Sequence, residues 1–369
     1  MKNAGAISIL HVILLSMTVI GLKNHVTIIP PLLEEVGRDG WIAVLFSTVA
    51  IFPWLFLLVY IHNQSKQQPI KEWLKQKIGQ VGASIVLYST AVYLIILAAV
   101  TMVEALQWVV TTFLPRTPIL LLLIVFTILC IYLVTTNLQT IVMVNFFVLS
   151  VVVVLGFFVA FTNIQVKDYE LLQPFFEHGL SPVLKGMVFP ASGFVEVLML
   201  LFIQHQIKDR MKWYHFTVII LILMGLTIGP LIGAITEFGP NEAAKQLYPA
   251  YEEWGLVQIG RFIEHLDFFS IYQWLTGAFI RIGFILFVVS DILNISGDKK
   301  RIWEFIAPPF FFMCLGLFLM NEPLFLDFKG KYLLTATVIF FFILSVILGI
   351  AAIISKKSSN NIQTKSGEK

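Results

Sequence analysis

Apolar runs of about twenty residues recur along the chain, at about 7–30, 40–61, 82–113, 118–136, 140–162, 181–203, 213–236, 266–293, 303–320 and 332–354. Each approaches the ~30 Å needed to cross the hydrocarbon of a bilayer at a helical rise of about 1.5 Å per residue. The pattern predicts an all-α integral membrane protein with ten transmembrane helices. Apart from 163–180 and 237–265 the connections are short, and Pro115, Pro118, Pro240 and Pro323 mark turns in them. A single ten-helix domain over 1–355, followed by a short tail at 356–369, is expected.

Lysine and arginine set the orientation, because positively charged loops stay on the cytoplasmic side. With the N-terminus inside, the inner face holds Lys2, Lys66, Lys71, Lys75, Lys77, Lys208, Arg210, Lys212, Lys299, Lys300, Arg301, Lys356, Lys357, Lys365 and Lys369. The outer face holds Arg38, Arg116, Lys167, Lys245, Lys329 and Lys331. Both termini are therefore expected in the cytoplasm.

Ten spans divide into two sets of five, about 7–162 and 181–354, and an odd number per set makes the second set enter the membrane from the opposite side. This is an inverted repeat, and in such folds a pair of interrupted helices at matching positions points to the binding site. Span 1 is interrupted at Gly21–His25 and closed by Pro30-Pro31, and span 6 at Pro190–Gly193. Unwound backbone at membrane depth persists only where it is buried in protein or lines a cavity. Non-helical backbone is expected at about 21–25 and 189–193.

Composition agrees with the pattern and narrows the function. The 369 residues are 58% hydrophobic and 13% charged, against about 25% charged in a soluble domain. No polar stretch is long enough for an extramembrane domain. A net charge of +3 in small clusters gives nucleic-acid binding no footing. Cys130 and Cys314 lie within apolar runs and read as packing residues. No metal-ligand spacing, HExxH, GxSxG, Walker A or GxGxxG context supports catalysis, so neither an enzyme nor a cofactor or metal site is expected.

Ionisable side chains at membrane depth need a partner or an aqueous cavity, and are the natural functional candidates. These are Lys23, Glu104, Glu196, Arg281 and, near the inner end of span 8, Asp291. Lys23, beside Asn24 and His25, is too deep to reach an interface. It serves either a ligand or gating site or an ion pair, with Glu104 or Glu196 as partner. Tyr93, Leu97 and Glu104 share one stripe of span 3 facing the bundle. Glu196 is placed in the first turn after the span-6 break, where it can cap the half-helix, while the N–H groups around Ser192 and Gly193 can bind a carboxylate. Arg281 stays charged and requires an acidic or carbonyl partner, serving either a structural pair or the anchoring of an anionic ligand group. Asp291, within reach of Lys299–Arg301 at the cytoplasmic edge, is assigned to the interface, and Arg261, Glu264, His265 and Asp267 to a solvated ion network at the outer mouth.

Several segments, in order and similarly spaced, also carry a resemblance: GRDGWI at 37–42, FLPRTPI at 113–119, GLSPVLKG and GFVEVLML within 179–200, Tyr248-Pro249 and RFIEHLDFF at 261–269. With these the chain resembles the B-subunit family of bacterial spore germinant receptors, a branch of the amino acid–polyamine–organocation transporter superfamily. It departs from that family in having Lys23-Asn24-His25 where a Gly-x-Gly pair is common, and His265 where arginine is common. The resemblance implies a ten-helix fold like that of LeuT and recognition of a small nutrient. It also implies a complex with A and C subunits in the inner spore membrane, and a ligand-facing role for the span-3 stripe. Three functions are carried forward: a receptor subunit binding a small nutrient such as an amino acid at Gly21, Lys23, Asn24, Ser192 and Gly193; a proton-coupled amino acid transporter; and a structural or ion-conducting subunit.

Overall fold

The computed structural model describes residues 7–258 and 266–367, with side chains through residue 355. Lys2, Arg261, Glu264 and His265, and the side chains of Lys356, Lys357, Lys365 and Lys369, lie outside what it describes.

The first helix, α1 (Ile9–Val19), starts at Ser8, whose hydroxyl accepts the His11 N–H. A π-helical turn comes next at Lys23–Thr27, closed by the Ile28 N–H reaching back to the Lys23 carbonyl at 3.2 Å. The cause is local: Pro30 and Pro31 open α2 (Ile29–Val36) and carry no N–H for the Val26 and Thr27 carbonyls. Span 1 is thus widened at 23–27, slightly later than the expected 21–25, and its residues keep right-handed helical angles instead of unwinding. The turn after α2 explains the GRDGWI motif. Asp39 accepts the N–H groups of Phe176 and Glu177 at 2.9 and 3.0 Å, and Arg38 pairs with Glu177 at 2.7 Å, pinning the 173–179 connection.

Next come α3 (Gly40–Gln64), α4 (Ile70–Thr112), α5 (Ile119–Val134) and α6 (Leu138–Thr162). Gly79, at φ 78° and ψ 168°, kinks α4, a conformation that suits glycine, so the membrane-crossing part begins beyond it. After α6 come α7 (Leu180–Gly186), α8 (Val188–Phe194) and a 3-10 stretch at Val195–Leu201. It continues through α9 (Trp213–Phe238), the short α10 (Pro240–Ala243) and α11 (Pro249–Glu252), then α12 (Phe268–Ile292), α13 (Lys299–Phe305) and α14 (Ala307–Phe318). Last are α15 (Glu322–Asp327), a π-helical turn at Phe328–Leu333 and α16 (Leu334–Gly367).

Among the described residues, nine helical segments are long and apolar enough to cross a membrane, so the chain is a multi-pass membrane protein. The segment expected as the fourth span is the apolar α5, whose 16 residues extend about 24 Å. In the centre stands α12, 83% buried over its apolar window and packed on α1, α4, α5 and α6, whereas the window of α6 is 22% buried and occupies the rim. An ionisable side chain within a span faces the bundle interior and not lipid, and α12, which carries Arg281, is the helix at the centre.

Span 6 corrects an expectation. Residues 189–193 lie in α8 and are helical. Pro190, in the first turn of α8 where no N–H is needed, interrupts the helix behind it at Met187, and the departure ahead of it is the 3-10 stretch from Val195. Two other placements change. Lys329, expected in an outer loop, is 2% exposed because the second π-turn carries it inward. Asp291 pairs with Lys71 at 3.3 Å instead of with Lys299–Arg301, since Asp298 and Glu304 engage Arg301 and Lys300. Cys130 and Cys314 are buried and free, as packing residues should be.

The connection between α9 and α12 is clamped by polar groups. Asn163 donates to the Glu237 carboxylate at 2.9 Å and to the Glu253 carbonyl at 2.8 Å, and Lys167 stands 3.4 Å from Glu237. The Glu253 carboxyl is pressed against Gly233, where a Cβ would lie 2.5 Å from its Oε1. Burial, and after it the Glu237 charge, push the Glu253 carboxyl well above the ordinary carboxylate range, with Lys167 opposing. A raised acid favours the folded state's proton, so this stability is complete at low pH and is lost as pH climbs from about 4.5 to the raised folded-state value. Amide exchange at 239–258 should accelerate with rising pH beyond its intrinsic base catalysis. In Glu253→Gln this excess should vanish, and an unchanged profile would refute the assignment.

Candidate functional site

The widened turn of span 1 and the 3-10 stretch of span 6 meet at one carboxylate. Glu196 is fully buried and accepts a bidentate pair from Arg281, Nη1 to Oε2 at 2.7 Å and Nη2 to Oε1 at 3.0 Å. Lys23 Nζ donates to Glu196 Oε1 and to the Ser192 carbonyl, both at 3.0 Å. Arg281 Nε donates to Thr101 Oγ1 at 3.1 Å, and its Nη1 also reaches the Val19 carbonyl at the end of α1. Four elements are joined through this group: the π-turn after α1 by Lys23, α4 by Thr101, the 3-10 stretch by Glu196 itself and α12 by Arg281. Buried charges persist only when paired and hydrogen-bonded, and here both partners of Glu196 are.

A second ionic group faces the first. Glu104 on α4 pairs with Lys329 at 2.8 Å and accepts Thr27 Oγ1 at 2.8 Å, and Lys329 Nζ sits 5.2 Å from the Tyr248 ring centroid, within cation–π range. Of the two acidic partners considered for Lys23, Glu196 takes it and Glu104 does not. Between the two groups lies a cavity of about 20 Å³ bounded by Leu22, Lys23, Thr27, Leu97, Val100, Thr101, Glu104, Trp274, Arg281, Lys329, Leu333 and Leu334. That is room for about one water. Trp274 roofs it beneath an aromatic stack, with Tyr251 at 4.6 Å and 18°, Tyr248 at 4.4 Å and Trp108 at 4.6 Å.

Beside the cavity, Asn24 and His25 fasten the π-turn after α1 to α8 and α9. Pro230 within α9 has no N–H for the Leu226 carbonyl, and His25 Nδ1 donates to that carbonyl at 2.9 Å instead. Asn24 Nδ2 donates to Thr227 Oγ1 at 3.1 Å, while its Oδ1 occupies the place a Cβ on residue 193 would need. Gly193 is required by this close approach.

Lys23, Leu97, Glu104 and Arg281 therefore line the cavity, and Glu196 stands behind them. Ser192, Gly193 and Asn24 make the junction of spans 1 and 6. The expected half-helix N-terminus with free N–H groups is absent there. The Val195 N–H is bonded to Ala191, and Ser192 offers its carbonyl to a cation. Glu196 accordingly acts as a counter-ion and not as a cap. Gly21 packs against Leu226, and Tyr93 stacks on Phe340 at 4.1 Å and bonds Thr337 at 2.8 Å, away from the cavity. Thr27, Thr101, Trp274 and Lys329 were missed by sequence reasoning. For Lys329 a signal existed: with Lys23 committed to Glu196, Glu104 still requires a cation.

Residues 4–323 match the family model described as spore germination protein. The chain belongs to the spore germination protein family. It is 43% identical over 281 residues to spore germination protein XB of Bacillus anthracis, covering 76% of this chain and 79% of that one. It is 23% identical over 267 residues to spore germination protein A2 of Bacillus subtilis, 71% of each chain. Over 328 residues it is 22% identical to spore germination protein GerQB of Bacillus cereus, 85% of this chain and 78% of the other. Within this spore germination protein the family match contains Lys23, Glu104, Glu196 and Arg281, whereas Lys329, Leu333 and Leu334 lie beyond it.

Proposed function

We propose that the chain is the small-molecule-binding subunit of a nutrient germinant receptor. Its ligand, of the amino acid class, would occupy the cavity between Lys23, Glu104, Arg281 and Lys329, with Leu97 beside it. Binding would shift the closed bundle to another state read by partner A and C subunits. The reading takes the fold as a ten-span, LeuT-like 5+5 inverted repeat, with α5 as the fourth span and both termini in the cytoplasm, in the inner spore membrane. The observation that supports it is the small, ion-lined cavity beside the paired irregularities of spans 1 and 6. A site too small for its ligand must open to admit it, and a ligand with different affinity for the two states shifts their balance.

A second reading, a proton-coupled transporter, draws on Lys23. A buried amine joining two spans can exchange a proton as the bundle rocks. Purified protein in proteoliposomes separates the two when equilibrium binding and uptake of labelled amino acids are measured together. The receptor reading expects saturable binding without concentrative uptake. Uptake driven by an imposed proton gradient would replace it with the transporter, and absence of both would remove both.

A further inference from the structure

The two ionic groups of the cavity differ in what they leave open. Arg281 holds both oxygens of Glu196, and Lys23 divides its hydrogen bonds between that carboxylate and the Ser192 carbonyl. Both cations there are committed to joining helices. Glu104 and Lys329 instead form a one-to-one pair, each 2% exposed. A carboxylate offers about four lone-pair sites and an ammonium three donors. Among the described residues, Glu104 spends one site on Lys329 and one on Thr27, and Lys329 gives a single donor to Glu104. Thr27 passes its hydroxyl hydrogen to Glu104 and keeps its own lone pairs. All three residues line the cavity. Thr27 stands in the first π-turn and Lys329 in the second, so the Glu104 carboxylate fastens both.

Unused acceptor sites and unused donors, on partners 2.8 Å apart, complement a molecule that carries an ammonium and a carboxylate on one carbon. Laid antiparallel to the Glu104–Lys329 pair, such a molecule sets its ammonium against Glu104 and Thr27 and its carboxylate against Lys329. Each charge meets its opposite, and the net charge of the site is unchanged by binding. A ligand lacking either group would bring an unbalanced charge into a nearly dry interior, where that is costly. The alternative anchor for a carboxylate, free N–H groups at a helix break, is closed here: the Val195 N–H is bonded to Ala191, and Ser192 presents its carbonyl to Lys23. Leu97, Val100, Leu333 and Leu334 complete an apolar wall suited to an aliphatic side chain.

We infer that Glu104, with Thr27, reads the ammonium of the ligand and Lys329 its carboxylate, so that this pair selects an aliphatic α-amino acid. This rests on the cavity being the ligand site, as proposed above, and assigns the groups that recognise the ligand's two charges. Isothermal titration of the purified full chain tests it with three-member series on the alanine and valine side chains: the L-amino acid, the 2-hydroxy acid lacking the ammonium, and the amino amide lacking the carboxylate. The amino acid should bind roughly tenfold or more tightly than either analogue. Glu104→Gln, which keeps an oxygen for Thr27, should weaken the amino acid by about tenfold without weakening the hydroxy acid. Lys329→Met should weaken it by about as much without weakening the amide. Should a single variant not fold because its partner is stranded, the Glu104→Gln/Lys329→Met double variant removes the pair as a unit and should bind all three within about threefold of one another. An analogue that binds wild type as tightly as the amino acid overturns the assignment, and so does an amino acid preference that survives the substitutions. A uniform loss of all three ligands in the variants gives the pair to the fold alone and also overturns it. Each of these results leaves the cavity standing as the ligand site. If no member of either series binds wild type, the site itself is misplaced and both conclusions fall.

Discussion

Glu196→Gln should lower stability by about 3–5 kcal/mol, the usual consequence of removing one member of a buried ionic group. The substitution conserves shape and deletes the charge that Lys23 and Arg281 share. An amide also turns an NH2 towards one of them, donor against donor. Thermal unfolding of the purified variant should show a large fall. Lys23→Met should behave differently, because Glu196 keeps its bidentate Arg281, and the expected cost is about 1 kcal/mol for the lost hydrogen bonds. Combining Glu196→Gln with Lys23→Met should be less damaging than the sum, since the single change leaves two cations stranded and the double leaves one. Additive effects would mean that the three residues do not act as a unit.

Gly193→Ala should be nearly as severe, at roughly 2–4 kcal/mol, combining the strain of overpacking with loss of a buried hydrogen bond. The new methyl claims the place of Asn24 Oδ1, and Asn24 is fully buried and bonded to Thr227. Asn24 cannot retreat without leaving that bond or shifting the π-turn that carries Lys23. Adding Asn24→Ala should recover most of the loss, because it empties the contested space. A single Gly193→Ala variant that unfolds like wild type would show that spans 1 and 6 do not approach this closely.

Much of this was legible in the chain. Long apolar runs announce membrane helices, and their buried charges announce the site, because neither tolerates an ordinary alternative. The irregularity of span 1 was readable within a few residues because Pro30 and Pro31 withhold two N–H groups wherever the chain goes. Span 6 was misplaced for an instructive reason. Pro190 sits where a helix needs no N–H, and Gly193 makes room for a neighbour and does not loosen its own backbone, so neither residue breaks the helix where it stands. Lys329 was hidden because Lys331, two residues on and exposed, makes the pair look like a solvated loop. Only the three-dimensional course of the π-turn separates their fates. The pairing of Glu104 with Lys329, 225 residues apart in sequence, has no local signature at all.

The 3-10 stretch at Val195–Leu201 also sets a length. Its seven residues rise about 2.0 Å each where an α-helix would rise about 1.5 Å, so the segment is roughly 3.5 Å longer than its α-helical form. It is also wound tighter by about 20° per residue, or roughly 140° in all. Relaxing to the wider coil would pull in the chain beyond Leu201 and rotate it like a screw. That chain carries Gln204, which bonds His62 Nδ1 at 2.7 Å and Ser65 at 2.8 Å, and the 207–211 segment, whose Met211 N–H meets His62 Nε2 at 3.1 Å. None of these bonds survives a stroke of that size. Any change of winding in this stretch would therefore act on Glu196 at one end and on the His62 clasp at the other.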